Sequence, residues 1–212
     1  MPPVPNLLTM RLLLIFFFGL LTVAGSAKAV LPTLMDGDII FHTSRSSQSI
    51  AVQRATHSQY SHMGLIVHRS GKPYVFEAIS TVQFTPLDQW VARGTGQHFV
   101  VKRLRNAKTI LSPPALQKLK TAASGFVGCP YDLVFGWSDD QIYCSELVWK
   151  IYDRSLNIQI GKLQRVRDFN LTDPMVRAKM RERYGNTIPL NEPVISPAAM
   201  FRSPQLVTVA EQ

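Results

Sequence analysis

Three side chains in this sequence have the types needed for acyl transfer by a thiol: Cys144, His62 and Glu77. Cys144 lies in Ile142-Tyr-Cys-Ser-Glu-Leu-Val148, where a loop carrying Asp139 and Asp140 gives way to an amphipathic helix. A thiol at a helix N-terminus has its anion favoured by the helix dipole and by unpaired N–H groups, which makes Cys144 a candidate nucleophile. A small buried cysteine at a helix start explains the same position equally well. His62 opens the apolar run Met63–Val67, so its imidazole can stand at the rim of a sheet and exchange a proton with a thiol. A hydrogen-bonded edge histidine is the competing reading, and His42, His57, His68 and His98 compete for the base role. Glu77 interrupts the apolar stretch Val75–Ala78. Inside a sheet an ionised carboxylate needs a partner. A hairpin around Gly71 would bring it beside His62 to orient the second ring nitrogen. On an outer face it would be an ordinary solvated glutamate.

These residues must be positioned by elements that the periodicity outlines. Asp38–Phe41, His62–His68, Tyr74–Ile79 and His98–Leu104 read as short strands, with Ser70–Pro73 as a hairpin loop between the second and third. Ser112 and Pro113 offer an N-cap and first-turn proline for a helix that runs to Gly128, with Leu116, Leu119, Ala122, Ala123 and Phe126 on one face. A second helix follows Tyr143, with Leu147, Val148, Ile151 and Tyr152 inward and Glu146, Lys150 and Asp153 facing elsewhere. A third, over 171–184, carries Arg177, Lys179, Arg181 and Arg183; such a charge run is ordinarily a solvated face. Ser196-Pro197 caps a short helix, and Leu206–Val209 is a last strand. Strands first and helices afterwards predict an α+β fold with an antiparallel sheet.

The chain of 212 residues has 46% hydrophobic and 17% charged residues, which is an ordinary globular composition and excludes disorder, collagen and a disulfide-stapled miniprotein. Arg11, the apolar run Leu12–Ala24 and the Ala27-Lys-Ala29 site read as a secretory signal peptide over 1–29, leaving one mature domain over 30–212. The run is shorter than the ~20 apolar residues of a membrane span. The expected location is therefore the periplasm or cell envelope. Two of the 23 basic residues leave with the leader, so the net charge falls from +9 to +7. A basic exported protein meets an anionic envelope surface before nucleic acid, and no nucleic-acid partner is expected. No His-Glu-x-x-His, paired Cys-x-x-Cys or Gly-rich phosphate loop occurs, so neither metal nor nucleotide cofactor is expected. Cys129 and Cys144 are the only cysteines. In an oxidising envelope they could form a disulfide that would end thiol chemistry.

Five segments in order, Asp36-Gly-Asp-Ile-Ile-Phe41, Tyr60-Ser-His-Met-Gly-Leu65, Phe76-Glu-Ala78, Gly128-Cys-Pro-Tyr-Asp132 and Tyr143-Cys-Ser-Glu-Leu-Val148, resemble the permuted papain-like amidases of the YiiX/YebB type. That group is a branch of the NlpC-related cysteine peptidase superfamily. The resemblance spans Asp36 to about Val209. It implies a circularly permuted papain-like fold in which the histidine strand precedes the cysteine helix. It also implies Cys144 as nucleophile, His62 as general base and acid, and Glu77 as the residue orienting His62. Gly128-x-Pro130-Tyr131 matches the segment before the cysteine helix, with Cys129 at x as a departure. Tyr60, Tyr131 and Tyr143 flank these motifs and are candidates for substrate binding. The implied substrate is a peptide or small amide, with peptidoglycan stem peptides first among them. A lipid esterase or acyltransferase using the same site, and a non-catalytic envelope binding module, are the competing functions.

Overall fold

A computed structural model of the chain describes Met1 and residues 33–212; the apolar run and cleavage site of the expected signal peptide lie outside the described residues. The elements run β1 (Ile39–His42), α1 (Ser47–Thr56), β2 (His62–Arg69), β3 (Lys72–Ala78), β4 (Val82–Pro86), α2 (Leu87–Arg93) and β5 (Val100–Leu104). There follow α3 (Ala107–Ile110), α4 (Pro113–Ser124), α5 (Cys144–Leu156), β6 (Gln164–Arg165), α6 (Pro174–Tyr184), β7 (Pro193–Val194), α7 (Pro197–Phe201) and β8 (Leu206–Glu211). Six strands form one antiparallel sheet in the order β4-β3-β2-β1-β5-β8, and β6 pairs with β7 separately. The fold class is α+β, as the segregation of strands and helices along the chain predicts.

Alternation along the strands gives the sheet two apolar faces. Ile39, Phe41, Met63, Leu65, Val67, Phe76 and Ala78 face α5 and, with Leu147, Val148, Ile151 and Tyr152, make the larger core. Ile40, Ile66, Val75 and Val101 face the other way and pack with Trp90 of α2 in a smaller core. The sheet is thus buried on both sides at its centre, and its inner strands read as near-continuous apolar runs.

The β2–β3 hairpin is tighter than the four-residue loop expected. Arg69 pairs with Lys72, so only Ser70 and Gly71 turn, with φ of 49° and 74°. Two successive positive φ values match the right-handed twist of the strands they join. Gly64 sets the spacing of this hairpin at the sheet centre. A Cβ there would lie 2.4 Å from Val75 Cγ1 and 2.8 Å from the Phe76 carbonyl oxygen, so β2 and β3 approach this closely only with glycine at 64.

Several boundaries differ from the expected ones. His98 precedes β5, which begins at Val100. α4 stops at Ser124, and Ser112, though extended at the cap, makes no side-chain capping bond. α6 begins at Pro174 because Asp173 caps it through the N–H groups of Met175 and Val176. Helices α1 and α2 and strand β4 carry no clear apolar stripe in the sequence; the buried residues of α1 are Ser49 and Ala51. Contrary to the expected outward face, Glu146 and Lys150 are buried. Lys150 Nζ lies 2.7 Å from Glu146 Oε1 and 2.9 Å from Asp139 Oδ1 and donates to the Ser138 carbonyl. An i,i+4 ion pair becomes tolerable inside when a loop supplies further partners. Burial still pushes the Glu146 carboxyl up to about 7 against the lowering effect of Lys150.

Candidate active site

Cys144 is the first residue of α5, and Tyr143 stands at its N-cap. Glu146 accepts from the Tyr143 backbone N–H at 3.4 Å, which ties the chain entering the helix. The Tyr143 hydroxyl is spent elsewhere: it accepts from Ile195 N–H at 3.0 Å, while Ser145 Oγ donates to the Ile195 carbonyl at 2.9 Å. Two side chains of the helix start thereby hold the segment that follows β7. No side chain caps the first turn, so its N–H groups remain as donors beside the thiol.

His62 is the first residue of β2, directly opposite His42 of β1. Its Nε2 lies 2.6 Å from Glu77 Oε2, and the Cys144 sulfur is near enough to the same ring to act on its proton affinity. Since Nε2 is occupied by Glu77, Nδ1 is the nitrogen left for the thiol. Burial works to lower the imidazole pKa. The Cys144 thiol and the Glu77 carboxylate outweigh it and raise the value to about 9.

Glu77 is fully buried. Its carboxylate accepts from four donors: His62 Nε2 and Trp90 Nε1 (2.9 Å) on Oε2, Thr85 Oγ1 (2.6 Å) and Arg93 Nη2 on Oε1. Burial raises its pKa, but the His62 bond, the Thr85 bond and the Arg93 charge prevail and hold it at about 2. The solvated-face alternative for Glu77 is therefore not what the fold adopts. Thr85 comes from β4 and Trp90 and Arg93 from α2. The sequence reading missed all three, although Asp88 in the first turn of α2, Arg93 in its last turn and Gly94 after it are helix start and stop signals.

The other histidines have other occupations. His42 is buried and stacked on Trp90 with ring centroids 3.8 Å apart; burial and then the charge at His62 bring its pKa down to about 3. His68 Nδ1 lies 2.8 Å from Asp36 Oδ1, His98 Nε2 lies 3.8 Å from Glu211, and His57 ends α1 with φ of 49°. Both cysteines are free. The Cys129 thiol faces the carbonyls of Asp139 and Asp140, and burial followed by the charges of Asp139, Glu146 and Asp140 raises its pKa.

The tyrosines divide. Tyr131 and Tyr143 line the pocket that opens on Cys144. Tyr131 accepts from Gln48 Nε2 at 3.2 Å, and Gln48 Oε1 accepts from Arg183 Nη2 at 2.7 Å. Burial, then the nearby Cys144, pushes the Tyr131 hydroxyl far up, so it keeps its proton. Tyr60 is not brought to the site: it stacks on Phe201 at 4.1 Å in the larger core and is absent from the pocket wall. Gln48 carried no signal in the sequence and Arg183 read only as part of a solvated basic face, because the contact between them spans 135 positions.

Comparison with known proteins agrees with this architecture. Residues 33–210 match the model of the permuted papain-like amidase family, YaeF/YiiX, C92. The chain is 52% identical over 176 residues to the uncharacterized protein YiiX of Escherichia coli K12, covering 83% of this chain and 86% of that one. A crystal structure from Escherichia coli O157:H7, described as the metalloprotein YiiX, superposes with a TM-score of 0.81 at 52% identity, over 84% of this chain and 97% of that one. With this match across nearly all the described residues, the chain belongs to the permuted papain-like amidase family of the YaeF/YiiX type.

Proposed function

We propose that the protein is an exported cysteine hydrolase that cleaves amide bonds through Cys144, His62 and Glu77. The observation that carries this reading is the continuous chain from a thiol at a helix start, through an imidazole, to a buried carboxylate saturated by four donors. His62 takes the thiol proton and the sulfur attacks the substrate carbonyl. First-turn N–H groups of α5 and the Tyr131 hydroxyl, whose oxygen is already held by Gln48, are the donors available to the oxyanion. The C–N bond breaks as His62 protonates the amine; water, relieved of a proton by His62, then hydrolyses the thioester and returns the thiol. Glu77 keeps the ring in the tautomer that leaves Nδ1 for the sulfur.

The related YiiX structure is described as that of a metalloprotein. Among the described residues of this chain, no three His, Cys, Asp or Glu side chains come together as a group able to hold a metal ion. Both oxygens of Glu77 are engaged, and His42 Nδ1, buried without a hydrogen-bond partner, is a lone nitrogen and not one of such a group. The residues here do not fit a metal centre, and the steps above use the chain's own groups alone.

The test is thiol reactivity. Brief treatment with iodoacetamide at pH 6 to 7, followed by peptide mapping, is expected to modify Cys144 at least about tenfold faster than Cys129, because the thiolate is the reacting species and Cys129 is held as a thiol by burial and by its acidic neighbours. Equal or reversed rates would remove the nucleophile assignment. Export has its own measurement: N-terminal sequencing of protein recovered from the envelope fraction is expected to begin at Val30, and an intact Met1 or Met10 terminus would overturn it.

A further inference from the structure

A second cleft, of about 1000 Å³, adjoins the pocket on Cys144 and shares with it Ala55, Thr56, Phe169 and Ser196. The end of α1, the loop leading into β6 and the turn between α7 and β8 frame it. Gly161 lets that loop close on α7: its φ is 80°, and a Cβ there would lie 2.9 Å from the Ala199 carbonyl oxygen. Arg202 ties the other two parts together, donating through Nη2 to the His57 carbonyl at 2.8 Å and to the Thr56 carbonyl at 3.3 Å. The fold itself therefore fixes the shape of the cleft.

Its carboxamides are oriented by the protein. Gln164 Oε1 accepts from Ser196 Oγ at 3.3 Å, Gln205 Oε1 from Ser203 Oγ at 3.3 Å, and Asn170 Oδ1 from the Thr172 hydroxyl at 2.8 Å. With those oxygens engaged, the NH₂ groups of all three are left as donors for an occupant. Two cations join them: Lys162, which makes no ion pair among the described residues, and Arg202, with guanidinium nitrogens beyond Nη2 still to offer. Asp168 is the one acid of the wall, and one of its oxygens already accepts from the Arg165 N–H. This set of groups selects among ligands. A peptide brings as many N–H donors as carbonyls, and the wall has few acceptors to meet them. A polyphosphate would set several negative charges against two cations and an acid. A hydrocarbon would strip water from the unpaired amides and the ammonium group. A sugar fits: its hydroxyl oxygens accept from the carboxamides and turn their own protons to water or to one another, and the half-buried Phe169 offers a ring to its C–H face. A single carboxylate on that sugar answers the excess of positive charge.

We propose that this cleft binds an acidic saccharide, with its carboxylate on Lys162 and Arg202 and its hydroxyl or acetamido oxygens on Gln164, Gln205 and Asn170. The site uses none of Cys144, His62 and Glu77 and does not depend on the hydrolase reading. Through the shared wall, a saccharide held there brings whatever is linked to it beside the pocket on Cys144.

Binding is read from backbone amide shifts in an NMR titration of the Cys144→Ala protein. The ligands are D-glucuronic acid with D-glucose, and N-acetylmuramic acid with N-acetylglucosamine; the second of each pair lacks the carboxylate. Saturable shifts are expected at Gly161, Lys162 and Gln205, with the acidic member of a pair binding about tenfold more tightly than the neutral one. Lys162→Gln, at a side chain without an ion pair to lose, is expected to cut that preference to about threefold and to leave the neutral sugar unchanged. Gln205→Ala is expected to weaken both members by about the same factor. Lactate or inorganic phosphate binding as tightly as the acidic sugars would reduce the cleft to an anion site and overturn the assignment. Equal affinity for acidic and neutral sugars, tighter binding of trialanine than of any sugar, shifts confined to Tyr143 and Ile195, or no saturable shift with any of the four sugars would each overturn it as well. Because the titrated protein lacks the thiol, failure of the hydrolase reading would leave these results standing, and their failure would leave that reading standing.

Discussion

Amide hydrolysis by the Cys144→Ala and His62→Ala proteins is expected to fall by about 10⁴-fold or more, because each removes a group that makes or breaks a bond, and residues acting as a unit do not substitute for one another. Glu77→Gln is expected to lose only about 10- to 100-fold. All four partners of Glu77 donate, so an amide at 77 must set its NH₂ against two of them. The Thr85 hydroxyl can rotate to accept, whereas His62 Nε2 and Trp90 Nε1 must go on donating. The carbonyl oxygen therefore stays on the His62 side and the ring keeps its orientation. The cost falls on Arg93, which loses its charge partner. His57→Ala, His68→Ala and His98→Ala serve as controls and should retain most activity, since none of the three lines the pocket on Cys144 and His68 and His98 are paired with Asp36 and Glu211. Initial rates with circular dichroism on each protein decide the matter. Full activity of His62→Ala would end the mechanism, and loss of activity in one of the controls would move the base role to that histidine.

Glu77→Ala is expected to destabilise the fold by about 3–5 kcal/mol, the scale for removing one partner of a buried ion pair. His62, Trp90 and Thr85 would be left as buried donors with nothing to receive them, and Arg93, partly open to solvent, would contribute least. The loss should depend on pH with a definite sign. The carboxyl of Glu77 is lowered in the fold, so its contribution is present above the ordinary pKa of about 4.5 and disappears as pH falls toward 2. The imidazole of His62 is raised, so its contribution is complete below about 6.5 and disappears as pH rises through 9. Urea unfolding of the wild type and Glu77→Ala proteins at pH 3, 5.5 and 9.5 should thus show the largest difference at 5.5. A difference that stays constant across the three would refute the charged pair.

The elements that declared themselves in the sequence are those whose burial is periodic. β2 and β3 were legible because their apolar residues leave few alternatives to a sheet, and Glu77 stood out as one carboxylate among them. Cys144 was legible from the change of pattern at Tyr143, where a polar loop meets a helical stripe. What stayed hidden depends on partners distant in the chain. α2 has seven residues with Trp90 as its buried side chain, too little for a stripe, yet it supplies two of the four donors on Glu77. Glu146 and Lys150 read as surface charges because nothing local shows that Ser138 and Asp139 will close over them. Tyr60, placed beside a catalytic motif, was drawn into the core by the ring of Phe201, 141 positions later. α6 read as a solvated basic helix, and the fold packs its Val176 and Met180 against a pocket whose wall also includes Lys179 and Arg183.

The two faces of the sheet divide the labour of the site. Glu77 and its donor Trp90 lie with the smaller core, whereas Cys144 lies with the larger one, and His62, at the end of β2, reaches around the sheet to touch both. Proton management and nucleophile placement therefore rest on separate foundations. A substitution beneath α2, at Val101 or Phe99, should register in the pH profile of hydrolysis while leaving access to the thiol unchanged. One beneath α5 should register in alkylation of the thiol. Natural variation can accordingly retune the acidity of the site and reshape the space around its sulfur as separate traits, with the first residue of β2 answerable to both.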